Sequence, residues 1–196
     1  SIRLEARDGA LHLLGCDGEL WGAASAPAVV ETPGAICVQQ RLLSDIINTL
    51  GPGEVSLELI GTSVNLRHGQ SEWKLLAFPA DEFPEPPAVD VRSSLRLPFG
   101  ELVKGIDGVA FACSEDSSRV ALTGVLFQYD GDTLTMVATD THRLAVNRIR
   151  RSGIGSPLTA IVPHKTLKAI KMLSLGADEE ITVTFDDIRL SVDLGS

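Results

Sequence analysis

Asp140, His142 and Arg143 share one four-residue stretch, with Cys113 and Ser117 upstream of it. A nucleophile, a base and an orienting carboxylate are the parts of acyl-transfer chemistry, so these residues invite an enzymatic reading. Their spacing argues against it. Asp140 and His142 are two apart beside a strand, and no Gly-x-Ser-x-Gly turn is present to hold a nucleophile against them. Nor does the chain carry a phosphate loop, a Gly-x-Gly-x-x-Gly turn or a His-Glu-x-x-His pair. His12, His68 and His164 are scattered. Cys16, Cys37 and Cys113 are odd in number and far apart, which suits small apolar residues better than disulfides or zinc ligands. No catalysis, metal or cofactor is expected.

Binding to phosphate is a second kind of chemistry, and here the pattern is favourable. A helix over Pro163–Leu173 would place Leu167, Ile170 and Leu173 on one side at about 100° per residue. His164, Lys165, Lys168 and Lys171 then occupy the other sides without an acid among them. A solvated helix face normally mixes signs; three unopposed lysines suit a phosphate-facing surface.

The net charge of −9 speaks against nucleic acid until its distribution is considered. Seven of the 17 Lys and Arg residues lie between Thr141 and Ala177, and all 26 acids lie elsewhere. An electrostatically two-sided molecule is expected, basic on one surface and acidic on the rest. Hydrophobic content of 44% is that of a globular protein. No apolar run approaches the roughly 18–20 residues of a membrane span, and Ser1–Glu5 does not open like a signal peptide, so an intracellular protein is expected.

The elements that must position these residues come in two copies. Asp8–Asp17 can be laid on Gly131–Asp140 at an offset of 123, Val38–Leu43 on Val162–Leu167 at 124, and Ser63–Leu66 on Asp187–Leu190 at 124. Arg41 thereby takes the position of Lys165. Each copy reads as alternating strands, a Gly- or Pro-containing loop, an amphipathic helix and a closing hairpin. The strands are Ile2–Ala6, Ala10–Gly15 and Leu20–Ala24 in one copy, and Val125–Tyr129, Leu134–Ala138 and Arg143–Ile149 in the other. The helices are Gln39–Leu50, with Leu42, Leu43, Ile46, Ile47 and Leu50 as a buried stripe, and Pro163–Leu173, with Pro163 at its first helical position. The hairpins are Val55–Ile60 with Val64–Arg67, and Ile181–Phe185 with Ile188–Val192. Phe83-Pro84-Glu85-Pro86-Pro87 separates the copies as a connector. A strand at Leu95–Leu97 and a helix over Gly100–Phe111 precede only the second copy, and a strand at Glu72–Ala77 follows only the first. The repeat therefore predicts that both copies are cut short.

The segments Leu122-Thr123-Gly124-Val125-Leu126-Phe127 and Ala138-Thr139-Asp140-Thr141-His142-Arg143-Leu144-Ala145-Val146, followed by Ile161-Val162-Pro163, resemble the bacterial DNA sliding clamps, the beta subunits of DNA polymerase III. Phe83-Pro84 looks like that family's end of a first domain. The resemblance covers nearly the whole chain. It implies an α+β DNA clamp fold, with antiparallel sheets outside and two helices per domain inside. Residues 1–82 would be a first domain lacking its initial strand and helix, 83–92 a linker, and 93–196 a second domain lacking its last strands; a third domain would be absent.

The implied function is non-catalytic: a processivity factor that encircles duplex DNA without reading sequence. Its implied partners are the replicative polymerase's catalytic subunit, the clamp loader, and repair and translesion polymerases. Two full-length subunits would close the ring, in the cytoplasm at the nucleoid. Arg41, Arg119, Lys165, Lys168 and Lys171 fall where the family meets DNA, although Glu115 and Asp116 stand beside Arg119. Leu122, Thr139, Thr141, His142, Arg143 and Leu144 match the family's partner-peptide pocket. Thr141 departs from the glycine common there; if that glycine has φ > 0, a β-branched residue predicts a different turn. A peptide-binding module that does not encircle DNA is the alternative reading.

Overall fold

The computed structural model of the chain describes residues 1–152, 154–186 and 189–194. Asp187 and Ile188, the latter expected to open the last strand, lie outside them. The chain divides into two compact units, Ser1–Pro86 and Pro87–Ser196.

Unit 1 runs β1 (Ile2–Arg7), β2 (Ala10–Cys16), β3 (Trp21–Pro27), β4 (Gly34–Val38), α1 (Gln40–Ile47), β5 (Ser56–Ile60), β6 (Ser63–His68), β7 (Ser71–Leu76) and β8 (Phe78–Pro79). Its sheets have the orders β3-β2-β1-β4-β8 and β5-β6-β7. Unit 2 runs β9 (Ser93–Pro98), α2 (Phe99–Ala110), β10 (Gly124–Tyr129), β11 (Thr133–Thr139), β12 (Leu144–Arg150), β13 (Ile154–Gly155), β14 (Leu158–Pro163), α3 (His164–Lys171), β15 (Glu180–Phe185) and β16 (Leu190–Asp193). Its sheets are β12-β11-β10-β14 and β13-β9-β15-β16. Every pairing is antiparallel.

The repeat is written into the hydrogen-bond register. Leu4 pairs with Leu13 where Phe127 pairs with Met136, both residues shifted by 123. Leu4 also pairs with Ile36 where Phe127 pairs with Ala160, so the partner strand is shifted by 124. The additional residue falls between β12 and β14, because β3 and β12 still correspond at 123, as Leu13–Ala24 and Met136–Asn147 show. Asp8-Gly9, with φ of 52° and 74°, closes β1–β2 as a two-residue hairpin whose twist requires both angles positive.

Four features depart from expectation. The loops read before the two helices hold strands, β4 and β14. Gly34-Ala35-Ile36-Cys37-Val38 is too short and too uniformly apolar to show alternation, and its ladder to β1 forms only in the fold. Pro163 ends β14 and caps α3 in extended conformation (ψ 144°), outside the first helical turn. The helix α1 stops at Ile47, after which Thr49 and Leu50 donate to carbonyls three residues back, a tightened last turn. Finally, only Leu43 and Ile46 of the α1 stripe are buried, while Leu42 and Ile47 stay 41% and 45% exposed.

The two units also differ in what shares their cores. In unit 2, β9 pairs with β15, and Leu95, Leu97, Leu102 and Ile106 of β9 and α2 share one core with Phe127, Met136, Leu167 and Phe185. Unit 1 has no counterpart of β9 and α2 among the described residues. Its core is Leu4, Val38, Leu43, Ile46, Val64, Leu66 and Leu75, and β5 pairs on its β6 side alone.

Candidate nucleic-acid interface and peptide pocket

The helix α3 buries Leu167 and Ile170 and exposes Lys165, Lys168 and Lys171, as its period requires. Lys168 and Lys171 lie in its last turn, where the carbonyl end of the helix favours cations. Lysines on a short, packed helix are mobile point charges, suited to phosphate and not to base edges. Lys171 is not unopposed, because its Nζ pairs with Asp107 of α2. Lys168 has no ion pair among the described residues, nor has Lys104, an exposed cation of α2 that the sequence pattern did not single out. Arg41 is exposed on α1, with Asp45 one turn further on. The Nε of Arg119 lies 3.4 Å from Asp116 Oδ2, within the acidic loop that weakened it as a candidate.

The basic block between Thr141 and Ala177 is split, contrary to expectation. Ala145, Asn147 and Ile149 of β12 face α2, where a Cβ on Gly108 would come within 3.2 Å of Asn147 Nδ2. Alternation then puts Leu144, Val146, Arg148 and Arg150 on the opposite side of the sheet from the helices. Arg151 is bound to Glu101 at 2.9 Å, and Arg143 to Asp140. The block therefore divides between two faces.

Thr139, Thr141, His142, Arg143 and Leu144 all belong to the β11–β12 turn. Pairing of Leu126 with Val137 brings the start of β10, and the short 3-10 turn Val120–Leu122 before it, to that end of the sheet. Asp140 organises the turn. Its Oδ1 accepts the backbone N–H groups of His142 (3.0 Å) and Arg143 (2.9 Å), and its Oδ2 accepts Arg143 Nε (2.9 Å). Thr139 Oγ1 accepts the Thr141 N–H and donates to the Arg143 carbonyl. The backbone N–H of Arg143, helped by His142 N–H and the Arg143 guanidinium, holds the Asp140 carboxyl below the ordinary carboxylate range. That carboxylate is committed to the turn, not to the His142 ring. Burial raises the Cys113 thiol, favouring its unreactive protonated form. No nucleophile–base–carboxylate chain is assembled from these residues.

Thr141 has φ +80°. A β-branched residue here occupies the left-handed backbone region that ordinarily favours glycine. Arg143 also lies 5.6 Å from the centroid of Phe111, which is 60% exposed at the end of α2. An aromatic beneath a guanidinium fixes the rim of this surface. Phe111 carried no signal in the sequence, where it closes an ordinary helix. Beside Leu122 lies an apolar cavity of about 460 Å³ lined by Val120, Ala121, Thr123, Gly124, Ile161 and Pro163. Gly124 is required by the close approach of β10 and β14: a Cβ there would stand 2.6 Å from the Val162 carbonyl oxygen.

The family model for the DNA polymerase III beta subunit N-terminal domain matches residues 1–87, and that for the central domain matches residues 96–196. The chain belongs to the DNA polymerase III beta subunit family. The beta sliding clamp of Synechococcus elongatus is 35% identical over 182 residues, covering 90% of this chain and 48% of that protein. The beta sliding clamp of Escherichia coli K12 is 30% identical over 200 residues, covering all of this chain and 54% of that protein. Among solved structures, the DNA polymerase III subunit beta of Pseudomonas aeruginosa superimposes with a TM-score of 0.89 at 26% identity, covering 97% of this chain and 53% of that one. The α+β fold is thus the sliding-clamp fold. The chain spans about half the length of the relatives it matches. Among the described residues, no helix is long and apolar enough to cross a membrane.

Proposed function

We propose that this chain is part of a processivity factor: the whole protein encircles duplex DNA, slides without reading sequence, and tethers the replicative polymerase. Family membership over both units carries this reading, and the exposed lysine face of α3 supports it. Lys165 and Lys168, with Arg41 and Lys171, are assigned to the phosphate backbone, and Arg119 to a secondary position on it. Lys171 and Arg119 must share their charge with Asp107 and Asp116. Mobile, non-directional contacts hold DNA without fixing its register, which a sliding protein requires.

The β11–β12 turn, with Leu122 and Leu144 as apolar floor and His142 and Arg143 as donors, is assigned to partner peptides. These would come from the polymerase's catalytic subunit, the clamp loader, and repair and translesion polymerases. The work is tethering, with no bond made or broken, performed by a two-subunit ring in the cytoplasm at the nucleoid.

The test is retention of the whole protein on circular DNA. It should stay on a nicked circle and leave when the circle is linearised. Lys165→Glu with Lys168→Glu should lower retention and flatten the slope of log affinity against log salt by roughly 0.9 for each phosphate no longer neutralised. Retention that survives linearisation refutes encirclement. Unchanged retention of the double variant at low salt refutes the lysine assignment.

A further inference from the structure

Arg143 is held at three points. Its carbonyl accepts from Thr139 Oγ1 at 2.7 Å, which fixes where the side chain leaves the turn. Its Nε donates to Asp140 Oδ2 at 2.9 Å. Its Cζ lies over the ring of Phe111. The first two partners belong to the β11–β12 turn itself, but the third comes from another element, the C-terminal end of α2. The backbone ties that end to the same surface, since the Ser114 N–H donates to the carbonyl of Leu122 at 2.8 Å. Apolar residues exposed singly are ordinary, so the exposure of Phe111 says little by itself. Its contact says more. Ala112 and Cys113, next in the chain, join the core of unit 2, whereas Phe111 stays out of it and meets the guanidinium instead.

This arrangement leaves one edge of Arg143 for use. The Nε–H is taken by Asp140 and one face of the plane is covered by Phe111, while the Nη1 and Nη2 groups make no hydrogen bond among the described residues. Those two groups form a planar fork suited to oxygen acceptors. A single hydrogen bond at Nε lets the guanidinium plane swing about the bond axis; a ring beneath it sets the plane as well. An arginine ordered in advance loses less rotamer freedom when it grips a partner, and so grips it more tightly.

We propose that Phe111 is a positioning residue of the partner-peptide site: with Asp140 it holds Arg143 ready, so that the Nη fork meets an oxygen acceptor of the incoming peptide. The role requires aromatic character and not bulk, because it is the negative face of the ring that attracts the cation. The inference rests on the assignment of the β11–β12 turn to partner peptides.

A double-mutant cycle in the whole protein tests it, with binding to the replicative polymerase's catalytic subunit followed by surface plasmon resonance. Phe111→Leu, which keeps an apolar side chain but removes the ring, should weaken binding about two- to fivefold. Phe111→Tyr should bind like the parent. In an Arg143→Gln background the same Phe111→Leu change should have no effect, because no cation remains to be held. Equal losses in both backgrounds, or equal losses for tyrosine and leucine, would overturn the proposal and leave Phe111 a residue that acts by its own bulk. Thermal melts of the same four proteins need no partner: Phe111→Leu should lower Tm more when Arg143 is present than in the Arg143→Gln background. Failure of the parent protein to bind the polymerase would refute the peptide-site assignment, while the melts still decide whether Phe111 holds Arg143. Melting temperatures that add independently would refute the positioning.

Discussion

Thr141→Gly should stabilise the protein, although it deletes a side chain beside a binding surface. Thr141 sits at φ +80°, where a residue bearing a Cβ loses about 1–2 kcal/mol relative to its ordinary conformations. A β-branched residue has the fewest ways to relieve this. Asp140 and Thr139 hold the strain in place, because four hydrogen bonds to the backbone of residues 141–143 would be broken on rotating out of it. Glycine removes the strain and adds unfolded-chain entropy of about 0.4–1 kcal/mol. The Thr141 side chain is exposed, and no hydrogen bond of its hydroxyl is seen to offset the gain. The balance is a stabilisation of roughly 0.5–1.5 kcal/mol, which for a unit of this size is a rise in Tm of about 2–6 °C.

Thermal melts followed by circular dichroism, with a urea midpoint at constant slope, measure it. Thr141→Ala separates the causes. It keeps the Cβ and so the left-handed penalty, and should recover less than half of the glycine gain. A lower or unchanged Tm for Thr141→Gly would refute the strain. Equal gains for alanine and glycine would show that β-branching, and not the backbone angle, is the source.

Gly124→Ala should act in the opposite direction, by about 1–3 kcal/mol, since its Cβ would meet the Val162 carbonyl at 2.6 Å and a backbone cannot step aside; the same melts should show it, and a neutral result would mean that β10 and β14 can separate. The β11–β12 turn should also be acid-sensitive. Asp140 is held below the ordinary carboxylate range, so its contribution is fully present above about pH 4 and is lost as pH falls through its lower folded value. Amide exchange at His142 and Arg143, corrected for intrinsic rates, should therefore rise only below about pH 4, and Asp140→Asn should abolish that step. An acid step that persists in Asp140→Asn would assign it to another group.

Much of this protein could be read from residues alone because its information is local. Asp8-Gly9 forces a two-residue hairpin through its own backbone preferences. The placing of Leu167, Ile170 and three lysines follows from helix period alone, and the repeat needed only two stretches to match at one spacing. What the sequence could not contain was which distant segments meet. Gly34–Val38 and Leu158–Pro163 are strands because β1 and β10 offer them a ladder, and nothing within either short segment announces that. Lys171 has no acid near it in sequence, yet Asp107 reaches it from another helix. Phe111 matters because Arg143 lies over it. Seven cations contiguous in sequence divide between two faces because a strand alternates sides while a helix gathers its residues every third or fourth position. Thr141 keeps a glycine's conformation because the hydrogen bonds around it outweigh its own preference. Local pattern settled what each element is and which side of it is apolar; burial, ion pairing and strain belong to contacts between elements and were decided only when the chain closed on itself.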